Sequence, residues 1–367
     1  MLFSIDNVIF TNMLTNQYFV VSVMSGTSLD GIDILYSKFS FNTKWDFKII
    51  EFETLNYPEN WVSKLKQLTK FTKTELKAID DEYSVYLANQ ISEFIEIKRI
   101  SNINFIASHG HTALHNPAEG YTYQIGNQQK VADFLNQKFI CDFRVQDVEL
   151  GGQGAPLVPI GDRLLFSDYN YCINLGGFAN ISFEENEERI AFDICPVNIV
   201  LNHYVNKLGF NYDNKGKIAA SGNVNDSLLE KLNNLDFYNQ VPPKSLGLEW
   251  VQNCILPMIE MYEIKTKDVL RTFVEHASIQ ISEFLNVENS TAFITGGGAY
   301  NLFLIDRIKE LSNSEIIIPS DEIVEYKEAL IFGLLGVLKL RNEVNCLKSV
   351  TGAKKDHSSG VILIPRN

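Results

Sequence analysis

The stretch that decides the fold is Val23-Met24-Ser25-Gly26-Thr27-Ser28-Leu29-Asp30-Gly31-Ile32-Asp33. An apolar run, Tyr18–Val23, leads into it, and another, Ile32–Phe39, leads out. Between them stand Gly, Ser, Thr and Asp, which populate turns because they accept unusual backbone angles or hydrogen-bond their own backbone. Strand, small-residue tip and strand make a β-hairpin. Gly26 and Gly31 have the G-x-x-x-x-G spacing of a P-loop, but Ile32-Asp33 stand where Lys and Ser/Thr belong, and a strand follows where a helix should. A P-loop is excluded. What remains is a turn whose N–H and hydroxyl groups can approach a phosphate and whose carboxylates can hold magnesium, or else an ordinary hairpin turn.

Outward from this tip, Asp46–Leu55 alternates as a third strand, and Asn60–Ile97 has helical apolar spacing. Ile103–Ala107 reads as a short strand ending in Ser108-His109-Gly110-His111-Thr112, Val131–Leu135 as a helix and Phe139–Phe143 as a strand. Then the pattern restarts. Tyr171–Leu175 is a strand, Gly176–Asn180 a turn, Ile181–Phe183 a returning strand and Ile190–Ile194 a third. Helices are predicted at Asn198–Leu208, Glu249–Tyr262 and Lys267–Leu285. Thr291–Ile294 is a strand and a helix starts from Asn301. Ile316–Ile318 is a strand and Lys327–Leu340 an amphipathic helix. The halves share a pattern, not residues. Strands alternating with helices, twice over, predict two α/β domains with a ligand cleft between them.

Two more glycine turns fall in the second half. Asn174-Leu175-Gly176-Gly177-Phe178-Ala179-Asn180 can face the first tip and clamp a polyphosphate with it. Thr295-Gly296-Gly297-Gly298-Ala299 follows a strand, but Asn301 stands where a dinucleotide fingerprint has its third glycine, so a Rossmann reading is weak. Its three glycines suit the face of a flat ring such as adenine.

Length and charge narrow the classes. At roughly 150 residues per domain, 367 residues imply two domains. With 45% hydrophobic and 21% charged residues the chain is of globular type, neither disordered nor fibrous. Its 32 Lys and Arg against 45 Asp and Glu give a net charge of −13. That argues against a nucleic-acid partner, which needs clustered cations, but not against backbone-held nucleotides. Five cysteines without a C-x-x-C pair suit a reducing compartment. No apolar run reaches the roughly 18 residues that span a bilayer. The N-terminal MLFSIDNVIFTNMLTNQ has no basic start and carries Asp6. It makes a poor signal peptide and is expected to be a short extension, or else translation starts at Met13.

Three side-chain groups bear on chemistry. Asp193, at the end of a strand in Phe192-Asp193-Ile194-Cys195-Pro196-Val197-Asn198, can point into a cleft as a general base, or cap the following helix. Arg144, in Asp142-Phe143-Arg144 before Gly151-Gly152-Gln153-Gly154-Ala155-Pro156, can hold a carboxylate bidentately or form an ion pair. His109, His111 and His115 lack a Cys, Asp or Glu partner set for metal, and line a polar pocket or bond to loops. Cys195 reads as a small apolar filler.

These residues carry a family resemblance. The first tip resembles the nucleotide-site motif of the anhydro-N-acetylmuramic acid kinases. The order of later blocks is similar too: Ser108-His109-Gly110-His111-Thr112, Gln124-Ile125-Gly126, Asp142-Phe143-Arg144, Gly151 to Pro159, Asn174 to Gly177, Pro243-Lys244-Ser245, Gly296-Gly297-Gly298, Lys327-Glu328-Ala329 and Ser349 to Ala353. The resemblance runs from about Tyr18 over nearly the whole chain.

It implies an actin-like, two-lobed α/β fold with ATP between the lobes. The expected N-terminal lobe is 1–160 plus 325–367, and the C-terminal lobe 161–324. It implies a cytoplasmic enzyme of peptidoglycan recycling, usually a homodimer. Water opens the ring of 1,6-anhydro-N-acetylmuramic acid and O6 receives the γ-phosphoryl group of ATP. On this resemblance Asp193 is the catalytic base. Gly26, Thr27, Ser28, Asp30 and Gly31 form the phosphate loop, with Asp30 near Mg2+. Gly176, Gly177 and Asn180 form the opposing loop. Gly296, Gly297, Gly298 and Asn301 form the adenosine side. His111, Thr112, Arg144 and Glu328 touch the sugar, Arg144 through its lactyl carboxylate.

The chain also departs from the family. Ile194-Cys195-Pro196-Val197-Asn198 replaces Thr-Gly-Pro-Gly-Asn, and Asn202 stands where an Asp follows. His111 replaces a Gln, and Leu246-Gly247-Leu248-Glu249 replaces Thr-Gly-Arg-Glu, removing a cation. These changes leave open a kinase of a non-anhydro amino sugar, or an inactive nucleotide- or sugar-sensing protein.

Overall fold

The computed structural model describes residues 16–26 and 29–366. Thr27 and Ser28 of the first tip, and the N-terminal extension before Asn16, lie outside the described residues. The strands are β1 (Gln17–Ser25), β2 (Ile32–Phe41), β3 (Trp45–Leu55), β4 (Phe105–Asn116), β5 (Tyr121–Ile125), β6 (Phe139–Cys141), β7 (Tyr171–Leu175), β8 (Phe178–Glu185), β9 (Glu188–Pro196), β10 (Thr291–Thr295), β11 (Glu315–Ile317) and β12 (Val361–Leu363).

They form two sheets. The first has the order β12-β6-β4-β1-β2-β3, with β5 also on β4, and the second β11-β10-β7-β8-β9. In each, a three-stranded antiparallel meander (β1-β2-β3, β7-β8-β9) is extended by two parallel strands on its first member (β4 and β6, β10 and β11). The same order built twice is the duplicated architecture of the two-lobed actin-like kinases. The expected restart at Tyr171 is therefore structural.

One face of the first sheet is covered by the Lys73–Ile97 helix, which starts in a capping box of Thr72 and Glu75. Leu76, Ile79, Tyr83, Leu87, Ile91 and Phe94, at helical spacing, bury against Val21, Val23, Ile32 and Ile34. The other face takes the Asp321–Leu340 helix. This helix was expected to be amphipathic; instead it is buried nearly all round from Tyr326 to Leu338. The reason is its position between the sheets, where its core joins Phe39 and Phe105 of the first to Cys172 and Phe293 of the second. Gly336 allows the close approach, since a Cβ there would lie 2.6 Å from the Phe105 ring. The expected lobe boundary at 324/325 falls inside this helix, and β12 returns the chain to the first sheet by pairing with β6.

Three other elements differ from expectation. β4 does not end at Ala107 but continues to Asn116, because β5 pairs with it and satisfies its backbone. His109, Gly110, His111 and Thr112 are thus strand residues. β9 runs on to Pro196, so Asp193 lies within a strand. The Glu249–Tyr262 helix contains a π-turn, Val251–Ile255, immediately before the turn carrying Pro257, which lacks an N–H.

At the junction of the sheets a buried ionic group ties the halves together. Asp162 forms an ion pair with Lys327 Nζ at 2.8 Å and accepts from Ser182 Oγ at 2.6 Å, and Arg189 Nη2 lies 3.9 Å away. Removing one charge would strand the others without water.

Candidate active site

The loops at the ends of the two meanders open into one cleft of about 1490 Å³. This exceeds the several hundred Å³ of a single small-ligand pocket and has room for two. Gly26, Asp30 and Gly31 of the first tip line it, as do Gly176, Gly177 and Asn180 of the second and Gly296, Gly297 and Asn301 of the third. Duplication brings the first two together, because each sits at the same end of its own meander, and the third follows β10, which runs parallel to β7. A smaller hollow, lined by Ser227, Glu230, Lys231 and Met258 among others, includes none of the tips.

Backbone accessibility differs along these tips. Gly296 has φ +82°, and a Cβ there would lie 2.5 Å from Asn174 Oδ1, so only glycine fits. Gly297 has open space at that position. Gly298 packs beneath, where a Cβ would meet that of Leu175 at 2.6 Å. It supports the turn and is absent from the cleft lining. Asn301 lines the cleft and also caps the Leu302–Leu311 helix, its Oδ1 accepting from Leu304 N–H at 3.1 Å.

Acidic groups gather on the first lobe's side. Asp30 is exposed. Asp33, on β2, also lines the cleft and accepts from Thr54 Oγ1 at 2.6 Å. Burial raises its carboxyl above the usual range, and Glu325 and Asp30 add to this while the Thr54 bond opposes it. A cation would relieve that repulsion.

The four residues expected on the sugar side have different surroundings. Glu328 lines the cleft. Its carboxyl is raised by the protein around it, against the pull of Arg144 and Lys327, so Glu328 and Arg144 are close enough to sense each other's charge. Arg144 Nε donates to His109 Nε2 at 2.7 Å and Nη1 to the Gly154 carbonyl at 2.5 Å. His109 Nδ1 therefore carries the proton, facing the Gly110 carbonyl at 2.8 Å. Burial, then the charge of Arg144, holds His109 well below its usual pKa, which keeps it neutral. Thr112 faces Gln124 across β4 and β5. His111 is buried beneath the first tip, its Nδ1 3.0 Å from Ser25 Oγ, which also meets Tyr57 and Tyr83 hydroxyls at 2.6 and 2.8 Å. His115 Nδ1 lies 3.0 Å from Thr122 Oγ1. Thr112, His111, Arg144 and Asp193 are not among the cleft-lining residues.

Asp193 pairs with Asn180 beside a β-bulge that leaves Ile194 without a partner. Such a bulge re-aims neighbouring side chains. The Asp193 carboxylate accepts from Leu246 N–H at 2.8 Å, and its own N–H donates to the Lys244 carbonyl at 3.1 Å. Burial raises its pKa, and the Leu246 bond partly offsets this. A raised carboxyl held in one place suits a general base.

Comparison with known proteins identifies the family. The model of the family "Anhydro-N-acetylmuramic acid kinase" matches residues 17–365. The anhydro-N-acetylmuramic acid kinase of Clostridioides difficile (strain 630) is 35% identical, over 91% of this chain and 95% of its own. This chain belongs to the anhydro-N-acetylmuramic acid kinase family. The enzyme of that name from Pseudomonas savastanoi pv. phaseolicola is 31% identical over 94% of this chain and 99% of its own. Among solved structures, component A of the Acidaminococcus fermentans (R)-2-hydroxyglutaryl-CoA dehydratase is similar at 13% identity and a TM-score of 0.47, covering 88% of this chain and 99% of that one. The assignment of the fold stands on the sheet order and the family.

The family's altered loop is accommodated by packing. None of residues 194–198 has a positive φ. Cys195 and Val197 are fully buried in the second core. The main chain docks on the second tip, with Val197 N–H donating to the Gly177 carbonyl at 2.8 Å and Ile199 N–H to the same oxygen at 3.2 Å. Leu248, where the family has its cation, lines the cleft. Sequence reasoning missed Asp33, Thr54, Lys215, Tyr300 and Glu325 in that lining. Only Asp33 carried a signal, standing two residues beyond Gly31 in the first motif.

Proposed function

We propose that this member of the kinase family uses ATP and magnesium to convert 1,6-anhydro-N-acetylmuramic acid into N-acetylmuramic acid 6-phosphate. The observation that carries this reading is the meeting of the two glycine tips, one from each half, in a single cleft with Glu328. Family membership supports the choice of sugar.

On this reading Asp193 takes a proton from the water whose oxygen bonds to C1. The C1–O6 bond breaks and leaves its electron pair on O6, O6 bonds to the γ-phosphorus as the bond from that phosphorus to the bridging oxygen breaks and ADP leaves, and the proton passes from Asp193 to solvent. Backbone N–H groups of the tips hold the phosphates, and Asn301 with Gly296 and Gly297 seats the nucleoside. Asp30 fits a divalent cation, and Asp33 and Glu325 join it because their mutual repulsion leaves the corner short of positive charge. ATP would supply the transferable phosphoryl group and magnesium would neutralise its charge. Arg144, held by His109 and Gly154, keeps part of its fork for the lactyl carboxylate, with Glu328 and Thr112 on the hydroxyl side. Positioning and charge stabilisation carry phosphoryl transfer, so lobe closure sets the rate of the productive state. A cytoplasmic homodimer working in peptidoglycan recycling belongs to the same reading. No helix among the described residues is long and apolar enough to cross a membrane.

The test is an ADP-release assay with ATP, magnesium and the anhydro sugar, beside N-acetylmuramic acid and N-acetylglucosamine, with the product mass measured. A product heavier than the anhydro sugar by phosphate and water is expected. ADP release only with an unmodified sugar would replace this substrate, and no turnover despite ATP binding would replace catalysis with sensing.

A further inference from the structure

Behind the Gly151–Gly154 turn, away from the tips, three side chains with no place in the reaction converge. Cys346 and His357 face each other in an isolated antiparallel bridge, each N–H donating to the other's carbonyl at 3.1 Å. Residues so paired project their side chains to the same side. Asp147, from the short Val145–Glu149 helix, faces both. Cys346 Sγ lies 3.0 Å from Asp147 Oδ1, and His357 Nε2 lies 3.7 Å from the same oxygen. The three donor atoms lie within 4.8 Å of one another, and all three residues are buried.

His357 Nε2 is the decisive atom. The other ring nitrogen, Nδ1, faces the Lys355 carbonyl at 3.1 Å, so it carries the proton. That leaves Nε2 a lone pair, with its side chain 97% buried (3% exposed) and without a hydrogen-bond donor, pointing at a carboxylate that is also an acceptor. Two acceptors facing each other in a buried site call for a positive charge between them.

We infer that Asp147, Cys346 and His357 form a three-ligand site for one zinc-type divalent cation. The ligand types are those of zinc, and the separations are near those of ligands around a tetrahedral ion. The supporting shell is complete. Nδ1 of the imidazole is anchored to a carbonyl, while the carboxylate accepts from Thr351 Oγ1 and Gly154 N–H, both at 2.7 Å. Charges balance as well. One cation, one carboxylate and one thiolate make a neutral buried group, the Cys346 proton leaving to solvent as the metal binds. Gly152 belongs to the same construction, since a Cβ there would clash with the Asp147 carboxylate. The ion would staple the C-terminal segment to the turn whose Gly154 carbonyl holds Arg144.

The test uses the full chain. Wild type, Cys346→Ser and His357→Ala are stripped with chelator, incubated with zinc or cobalt, desalted and assayed for metal by mass spectrometry and for the thiolate-to-cobalt absorption band. Wild type should retain about one equivalent and show the band, and both variants should lose them. Serine keeps a donor to Asp147, so Cys346→Ser is expected to fold, and circular dichroism checks this. If a variant does not fold, the wild-type spectrum decides. Wild type without bound metal and without the band overturns the proposal, as does a folded Cys346→Ser that keeps the band.

Discussion

The two halves of the molecule build the same meander and hold its tip in different ways. Beneath the first tip, Ser25, Tyr57, Tyr83 and His111 form a buried cluster of hydroxyls and an imidazole. The second tip, Gly176-Gly177, rests on main chain, its carbonyls accepting from Val197, Asn198 and Ile199 N–H groups. A tip supported by side chains is sensitive to what those side chains are. A tip supported by backbone tolerates the exchange of neighbours, which is why Ile194, Cys195 and Val197 can replace smaller residues beside it. Of the carboxylates that line the cleft, Asp30, Asp33, Glu325 and Glu328 come from the first lobe and Asp213 from the second, while the base of the proposed reaction, Asp193, is held in β9 of the second.

The largest effect that tests this division is in the second lobe. Asp193→Asn should lower turnover of the anhydro sugar by about 10²–10⁴-fold, with ATP affinity changed only a few-fold. Its stability should not fall at neutral pH. Burial raises the Asp193 carboxyl, so the charged form disfavours the folded state once pH passes that raised value, and the amide removes this cost while still accepting from Leu246 N–H. Thermal unfolding of the variant at pH 7 beside wild type checks the sign. An inactive and less stable variant would assign Asp193 a structural role.

The same shift makes a pH prediction. A base must be unprotonated, so kcat/KM should fall as pH drops through the Asp193 value, giving an acid limb above the ordinary carboxylate range near 4. A pH–rate profile of wild type reads it directly, and activity sustained to pH 4 would move the base elsewhere.

In the first lobe, Arg144→Ala should weaken the acidic muramic substrate by about 10–100-fold, the value of a hydrogen-bonded charge. Sugars lacking the lactyl group should lose less, and equal losses would remove the carboxylate contact. Arg144→Lys should not rescue, because one ammonium cannot meet His109, Gly154 and a carboxylate in a fixed fork.

The smallest effects compare the tips themselves. Tyr83→Phe removes a hydroxyl that meets both Ser25 and Tyr57 and should cost about 1–3 kcal/mol of stability. Gly177→Ala should change stability by less than about 0.5–1 kcal/mol, since the nearest atom to a Cβ there is 3.7 Å away. It should nevertheless weaken ATP, whose phosphates that backbone faces in the proposed complex. Chemical denaturation and nucleotide titration of both variants test the contrast; equal stability losses would erase it.

Much of this was legible in the chain. Apolar runs around Gly-rich tips located both meanders, because a strand inside the fold such as β1 is buried on both faces and a tight turn needs small residues. The ordered motifs identified the family. Boundaries were less legible where a partner strand decided them. β4 runs through the three histidines because β5 lies beside it, and no property of Ser108–Thr112 announces that. The burial of the Asp321–Leu340 helix was hidden for the same reason, since its polar-facing side meets a second sheet in place of water.

Sequence alone determined the two meanders, the tips and the kind of chemistry, since these depend on local spacing and residue type. Only the tertiary structure decided which polar groups share an environment. It turned His111 under the tip, joined His109 to Arg144, set Asp33 among carboxylates and gathered Asp147, Cys346 and His357 from distant parts of the chain. Such meetings depend on long-range packing and on the loss of water, neither of which is written in the spacing of neighbouring residues.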